Sequence, residues 1–332
     1  MGQTRKNKKS KAHRLLVFLL LLIVAVLACQ SLIILGDRFL FAQNGGGATA
    51  PVPALMKTLE PALSVPGDSL YSSHAILLRL DDRNILMQKN SEEKIYPASL
   101  TKMMTVIVAI ENLPDLQEEI MLSESMFQEL YQADATMAGF QADEQVKAID
   151  LLYGVLLPSG AECCIGLANQ IAGSEQEFVE MMNQRAVELG MYNTHFVNAI
   201  GLHDENHYTS VRDLAILLSF ALQDDIFREI FTSSRHSTQA TNKHPEGITF
   251  YNTMFEKLGD PGIHGGQILG GKTGYTNKAG LCLASLANAG GKEYILVTAG
   301  ARGDHQSEQY NITDAFDVYN CLGEEEDIAE GS

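Results

Sequence analysis

Apolar residues fall along this chain in runs of different length, and the length of each run suggests its structure. From Leu15 to Leu35 they continue for 21 residues, with Cys29, Gln30 and Ser31 as the main interruptions. At 1.5 Å per helical residue that run is roughly 30 Å long, the depth of one hydrocarbon core. Much shorter runs follow from His74 to Leu80 and from Ile85 to Gln88, around Asp81-Asp82-Arg83-Asn84, and predict a β-hairpin. Ser99 to Glu111 is apolar and rich in helix formers with Pro97 just ahead, which predicts a helix with Ser99 in its first turn. Residues 114–190 read as mainly helical, with Asp150 capping Leu151 to Leu157 and a new helix from Ala161 to Ala172 after the Ser159-Gly160 break. Another helix is expected from Val211, capped by Tyr208-Thr209-Ser210 with Asp213. Strand patterns return in Ala279 to Ala287 and Glu293 to Ala299, separated by Asn288-Ala289-Gly290-Gly291, and Ile312 to Leu322 closes as a helix. Strands at both ends of a helical middle predict an α+β domain. Its first and last strands should share one antiparallel sheet, flanked by helices, with a mainly helical subdomain inserted between them.

Charge refines the picture at the N-terminus. The 332 residues carry a net charge of −17, yet the first 14 hold six basic residues and no acid. Removing those six leaves −23 on the rest, so the body offers no basic footprint for nucleic acid. Basic residues ahead of the long apolar run orient it as a single-pass membrane helix with the body outside the cell. The run is long for a cleaved signal peptide and no small-x-small site follows it cleanly, so an uncleaved anchor is expected. The resulting organisation is a basic tail (1–14), a membrane anchor (15–36) and a Gly/Pro-rich stalk (37–70) containing Asn44-Gly45-Gly46-Gly47 and Pro51, Pro53, Pro61 and Pro66. A folded domain (71–322) and an acidic, disordered tail (323–332) complete it. Cys163, Cys164, Cys282 and Cys321 show no metal-ligand spacing and read as buried thiols, with a Cys282–Cys321 bridge left open. His195, His203 and His207 lack a ligand pattern and are assigned to loop structure, and Asn311-Ile312-Thr313 has the form of a glycosylation acceptor.

Three motifs carry the chemistry: Ser99-Leu100-Thr101-Lys102, Ser159-Gly160-Ala161 and Lys272-Thr273-Gly274. A serine hydroxyl is a weak nucleophile until a base takes its proton. Three residues on, along one helix face, Lys102 can reach Ser99. Such a lysine acts as a base only if its pKa falls, which burial and a second cation, Lys272, would both promote. Ser159, at a break between helices, can face a cleft and pass a proton to a leaving amine. Lys272, Thr273 and Gly274 form a strand on which Gly permits close backbone approach while Thr273 and Lys272 offer a donor and a charge to a substrate carboxylate. Taken singly, each motif is an ordinary helix start, cap or glycine-weakened edge strand; their order and spacing make the set specific.

From about Tyr71 to about Leu322 the chain resembles the low-molecular-mass penicillin-binding proteins, the serine D-alanyl-D-alanine carboxypeptidases. The resemblance rests on Glu93 to Thr105 around the first motif, on Asn198-Ala199-Ile200-Gly201-Leu202 with His207-Tyr208-Thr209-Ser210, and on Gly271 to Thr276 with Ala279-Gly280. It implies a β-lactamase/transpeptidase-like fold and removal of the terminal D-alanine from peptidoglycan stem pentapeptides through an acyl-enzyme on Ser99. Lys102 would be the general base, with an oxyanion hole from the N–H groups of Ser99 and Tyr275. β-Lactams are implied as covalent inhibitors, and neither a cofactor nor a metal is expected. The chain departs from the family where its second motif ends in Ala161 rather than Asn, with Glu162 as a candidate substitute. Arg302 is the nearest candidate for the arginine that holds the substrate carboxylate. A serine β-lactamase would need a Glu-x-x-Leu-Asn stretch, absent between Ser159 and Lys272. A non-catalytic penicillin-sensing ectodomain would need a large cytoplasmic portion, and the expected cytoplasmic side is about 14 residues long.

Overall fold

The short apolar runs at the start of the domain pair with the long ones near its end. The computed structural model describes residues 57–58 and 69–330, with side chains at 69–322. The expected basic tail, membrane helix and most of the stalk lie outside the described residues. In chain order come β1 (Lys57–Thr58), β2 (His74–Arg79), β3 (Asn84–Lys89) and a 3-10 turn (Ala98–Thr101) that leads into α1 (Lys102–Asn112). Next are β4 (Glu119–Leu122), α2 (Glu124–Gln132), β5 (Glu144–Lys147), α3 (Ala148–Leu156), α4 (Ala161–Ala172), α5 (Glu175–Leu189), α6 (Val211–Ala221) and α7 (Asp225–Thr232). The chain then returns to strands through β6 (Arg235–Ser237), β7 (Thr249–Tyr251), α8 (Thr253–Leu258), β8 (Gly262–Ile263), β9 (Gly266–Thr276), β10 (Gly280–Ala289) and β11 (Lys292–Ala301), and closes with α9 (Tyr310–Glu330).

The main sheet has seven strands in the order β1-β3-β2-β11-β10-β9-β8. All its pairings are antiparallel except β1 with β3. The register of β2 on β11, from Ala299 opposite His74 to Tyr294 opposite Arg79, joins the first hairpin to the last one across the inserted helices, as the sequence pattern predicts. Alternate residues of these strands face opposite cores, as a period of two requires. Ile76, Leu78, Ile295 and Val297 pack into the larger core with α1, α3, α4 and α6. Leu77, Leu283 and Leu296 face the other side and meet Ile312, Ala315, Val318 and Tyr319 of α9.

Three local expectations are corrected. The middle region contains a two-stranded ladder, β4 with β5, whose four-residue alternations are too brief to stand out among helical patterns. Asp150 lies in the first turn of α3 rather than at its cap, and its carboxylate takes a 2.7 Å hydrogen bond from His236 Nε2. The acidic segment 323–330 continues α9 instead of fraying. Glu and Ala are good helix formers, and the packed first turns of α9 supply the nucleus they extend. Cys282 is a buried thiol directed at the carbonyls of Ala279 and Gly280, both at 3.7 Å, so no bridge to Cys321 forms.

Tyr319 fastens α9 to the sheet. Fully buried, its hydroxyl lies 3.0 Å from Ser285 Oγ and donates to Ser285 O at 3.1 Å. Tyr319→Phe keeps the ring and strands those partners, so it should lower unfolding free energy by about 1–3 kcal/mol in urea titrations.

Candidate active site

Ser99 sits on the 3-10 turn, where residues three apart eclipse one another, and Lys102 opens the α-helix directly behind it. The Lys102 ammonium lies 3.3 Å from Ser99 Oγ and donates to the carbonyl of Ile200 at 2.6 Å. Lys102 is buried, and burial pushes its ammonium below the ordinary lysine value. The carbonyl that receives it is presented by a loop wound around Asn198, whose Oδ1 accepts from the N–H groups of Ile200, Gly201 and Leu202. Ala98, just before Ser99, has φ +47°, a left-handed conformation that costs a non-glycine residue roughly 1–3 kcal/mol. A buried chain of hydrogen bonds holds it there. Val197 N–H donates to His207 Nδ1, so the neutral ring donates from Nε2 to Thr101 Oγ1, which donates to the carbonyl of Ala98. Burial pushes the His207 pKa down to about 4. Gly201 closes the corner, because a Cβ there would stand 2.0 Å from the Ala98 carbonyl oxygen.

Ser159 projects from the break between α3 and α4 with φ +69°, a second left-handed non-glycine position. Its hydroxyl accepts a 3.0 Å hydrogen bond from Lys272, which also donates to the carbonyl of Thr273 at 2.9 Å. Lys272 is 1% exposed. Burial first, and the charge of Lys102 second, push it well below the usual lysine range. Lys272 on β9 therefore faces inward toward Ser159, while Thr273 faces outward to the hydroxyl of Thr253 at 2.7 Å. Gly274 lies against Ser99: a Cβ there would be 3.1 Å from the Ser99 nitrogen.

These elements enclose a cleft of about 370 Å³. Ser99, Ser159, Thr273, Gly274 and Tyr275 line it, joined by residues that the motifs did not reveal: Thr136, Thr253, Lys257, His305 and Asn311. The only sequence signal for these was the glycosylation pattern at Asn311. In the fold Asn311 is buried and donates to the carbonyl of Cys282. Two further expectations change. Arg302 is not among the cleft-lining residues; it is exposed, with its guanidinium 5.0 Å from the ring centroid of Tyr310 and 5.8 Å from that of Tyr71. Glu162 does not replace the missing asparagine amide. It is buried, and its carboxylate accepts from the N–H groups of Ala138, Gly139 and Phe140, holding the loop that carries Thr136.

A mixed sheet-and-helix domain with two serine–lysine pairs in one cleft defines a class of active-site serine proteins. The chain belongs to the D-alanyl-D-alanine carboxypeptidase family, whose sequence pattern matches residues 61–303. It is 34% identical over 232 residues to the D-alanyl-D-alanine carboxypeptidase DacF of Bacillus subtilis, covering 68% of this chain and 57% of that protein. It is 32% identical over 258 residues to DacC of Escherichia coli, covering 73% of this chain and 59% of DacC. The chain thus spans less than two thirds of the length of either relative. Its fold matches the Streptomyces K15 DD-transpeptidase with a TM-score of 0.68 at 24% identity, over 76% of this chain and 97% of that one.

Two expected outcomes follow from the corner at Ser99. Gly201→Ala should lose about 1–3 kcal/mol of stability, read from denaturant melts, because the new methyl displaces the Ala98 carbonyl. Between pH 6.5 and 4 the unfolded chain takes up a proton on His207 that the native ring refuses. Stability should therefore fall as pH drops through that window, by up to about 3 kcal/mol from this residue. The difference in pH slope between wild type and His207→Gln, read from denaturant melts, isolates the contribution.

Proposed function

We propose that this domain is a serine-type D-alanyl-D-alanine carboxypeptidase that removes the terminal D-alanine from peptidoglycan stem pentapeptides. The meeting of the Ser99–Lys102 and Ser159–Lys272 pairs in one cleft carries the reading. Ser99 Oγ attacks the carbonyl of the penultimate D-alanine and forms an ester, and the neutral amine of Lys102 takes its proton. The Ser159 hydroxyl, beside Lys272, relays a proton to the departing amine of D-alanine. Thr273, Gly274 and Tyr275 bind the substrate strand, and the N–H groups of Ser99 and Tyr275 receive the oxyanion. Water then cleaves the ester and regenerates Ser99. β-Lactams would enter by the same acylation and remain bound.

The proposed location is the outer face of a bacterial plasma membrane, tethered by the helix expected at 15–36. Its support is the basic tail ahead of a 21-residue apolar run. Among the described residues no helix is long and apolar enough to cross a membrane. N-terminal sequencing of the mature protein tests the tether: a start at Cys29 or beyond Gln43 would replace it with a lipoprotein or a secreted enzyme.

A free D-alanine assay with a pentapeptide ending in D-Ala-D-Ala tests the activity. Ser99→Ala should abolish both D-alanine release and penicillin labelling, and labelling that persists would move the nucleophile elsewhere. Lys102→Ala should slow acylation by about 10²–10⁴-fold with the fold intact. Because the neutral amine is the working form, acylation should rise with pH. Its midpoint should lie below the ordinary lysine value of about 10.4, in keeping with the burial of Lys102. Rapid turnover of penicillin without D-alanine release would indicate a β-lactamase instead.

A further inference from the structure

Two of the ammonium groups at the active site are committed to the chemistry. Lys102 Nζ is held by Ser99 and Ile200, and Lys272 Nζ, almost without solvent contact, by Ser159 and the Thr273 carbonyl. Neither is placed to meet an anion that enters along the cleft. Arg302, the arginine that the sequence brought forward for that task, stands over Tyr71 and Tyr310. Among the described residues lining the cleft, one Lys or Arg remains: Lys257.

Lys257 is exposed and lies on α8, four residues after Thr253. Residues four apart share a helix face, and both line the cleft. Thr253 is tied to Thr273 of the third motif by the 2.7 Å contact between their hydroxyls. The strand beside the nucleophile and the helix carrying Lys257 are thereby joined, and two hydroxyls and an ammonium line one wall. Lys257 Nζ donates to Gln309 Oε1 at 2.9 Å, and among the described residues none of the ion pairs includes it. Glu256 lines the same wall without pairing with it, and His305 faces the cleft with its ring edge-on to Tyr275 at 4.9 Å. Burial and the charge of Lys257 both disfavour protonation of His305. In a body whose net charge outside the basic tail is −23, Lys257 is the one Lys or Arg among the described residues lining this cleft, and the Glu256 carboxylate beside it makes no ion pair with it. Lys257, His305 and Gln309 also line an adjoining groove of about 530 Å³, which places them at the mouth of the cleft.

We propose that Lys257 is the specificity-determining residue that receives the terminal carboxylate of the substrate peptide, with the hydroxyls of Thr273 and Thr253 as neighbouring donors. The proposal rests on the carboxypeptidase reading above, since it needs a substrate with a free C-terminus. It assigns to a helix residue, outside the three motifs, the recognition of a terminal peptide over an internal one. Glu256 opposes anions on the same wall, so its removal should strengthen the site.

The test compares two probes on the full chain: a diacyl-L-lysyl-D-alanyl-D-alanine peptide with a free carboxylate, and the same peptide as its C-terminal amide. Release of D-alanine and of D-alaninamide gives kcat/KM for each. Wild type should favour the acid. In Lys257→Met the acid-to-amide ratio should fall about 10–100-fold, mostly through KM, the range expected for a lost hydrogen bond to a charged group. Lys257→Arg should restore the preference, and Glu256→Gln should lower KM for the acid. A ratio that Lys257→Met leaves unchanged, or a wild type indifferent to the carboxylate, would overturn the assignment while the carboxypeptidase reading stands. A wild type that releases product from neither peptide would overturn that reading, and this proposal with it.

Discussion

Two lysine side chains buried within one site form the constraint on which the rest of this structure depends. An ammonium group without water needs hydrogen-bond acceptors, and a second one nearby raises the cost of charge on both. The surrounding architecture supplies those acceptors one by one. The loop wound around Asn198 turns the Ile200 carbonyl toward Lys102, the turn before α4 aims the Ser159 hydroxyl at Lys272, and β9 adds the carbonyl of Thr273. The same burial lowers both lysine pKa values. What would be a liability in an inert core becomes, in the proposed reaction, a means of accepting and delivering protons.

Two of the six left-handed non-glycine residues among those described stand at the same place. Ala98 and Ser159, one preceding Ser99 and the other bearing the second hydroxyl, both adopt left-handed backbone conformations. Each is over-determined by its surroundings. His207 and Thr101 grip the carbonyl of Ala98 from behind, and Gly201 leaves the space into which that carbonyl turns. Glu162 plays a comparable part on the opposite wall, where its carboxylate gathers three N–H groups of the loop from Ala138 to Phe140. These residues touch no substrate in the proposed reaction. Their work is to make the geometry of the serine–lysine pairs independent of solvent and thermal motion.

Much of this was legible before any coordinates. The hairpin at His74 to Lys89, the α4 boundaries at Ala161 and Ala172 and the Ser210 cap of α6 all follow from local patterns whose physical cause is local. Apolar alternation sets strand faces, a side-chain oxygen caps a helix, and Ser99 and Lys102 meet because three residues of helical backbone bring them together. The pairing of β2 with β11 was also within reach, since strands at both ends of a helical middle have only one another to join.

Other features were decided by tertiary structure alone, because their partners are remote in sequence. Nothing near Glu162 in the chain indicates that its carboxylate will fold back on a loop 24 residues earlier rather than face the cleft. Nothing near Arg302 indicates that Tyr71, at the other end of the domain, will join the nearby Tyr310 beneath its guanidinium. Lys257 carries no motif, and it becomes part of the cleft because α8 is tied to β9, Thr253 to the hydroxyl of Thr273 and Asn252 to the carbonyl of Gly271. The amino-acid sequence determined which chemistry the chain could perform, since residue type and short spacing suffice for a serine beside a lysine. Which charge stands at the mouth of the cleft was settled by packing between distant segments, where the position of a side chain depends on the whole fold.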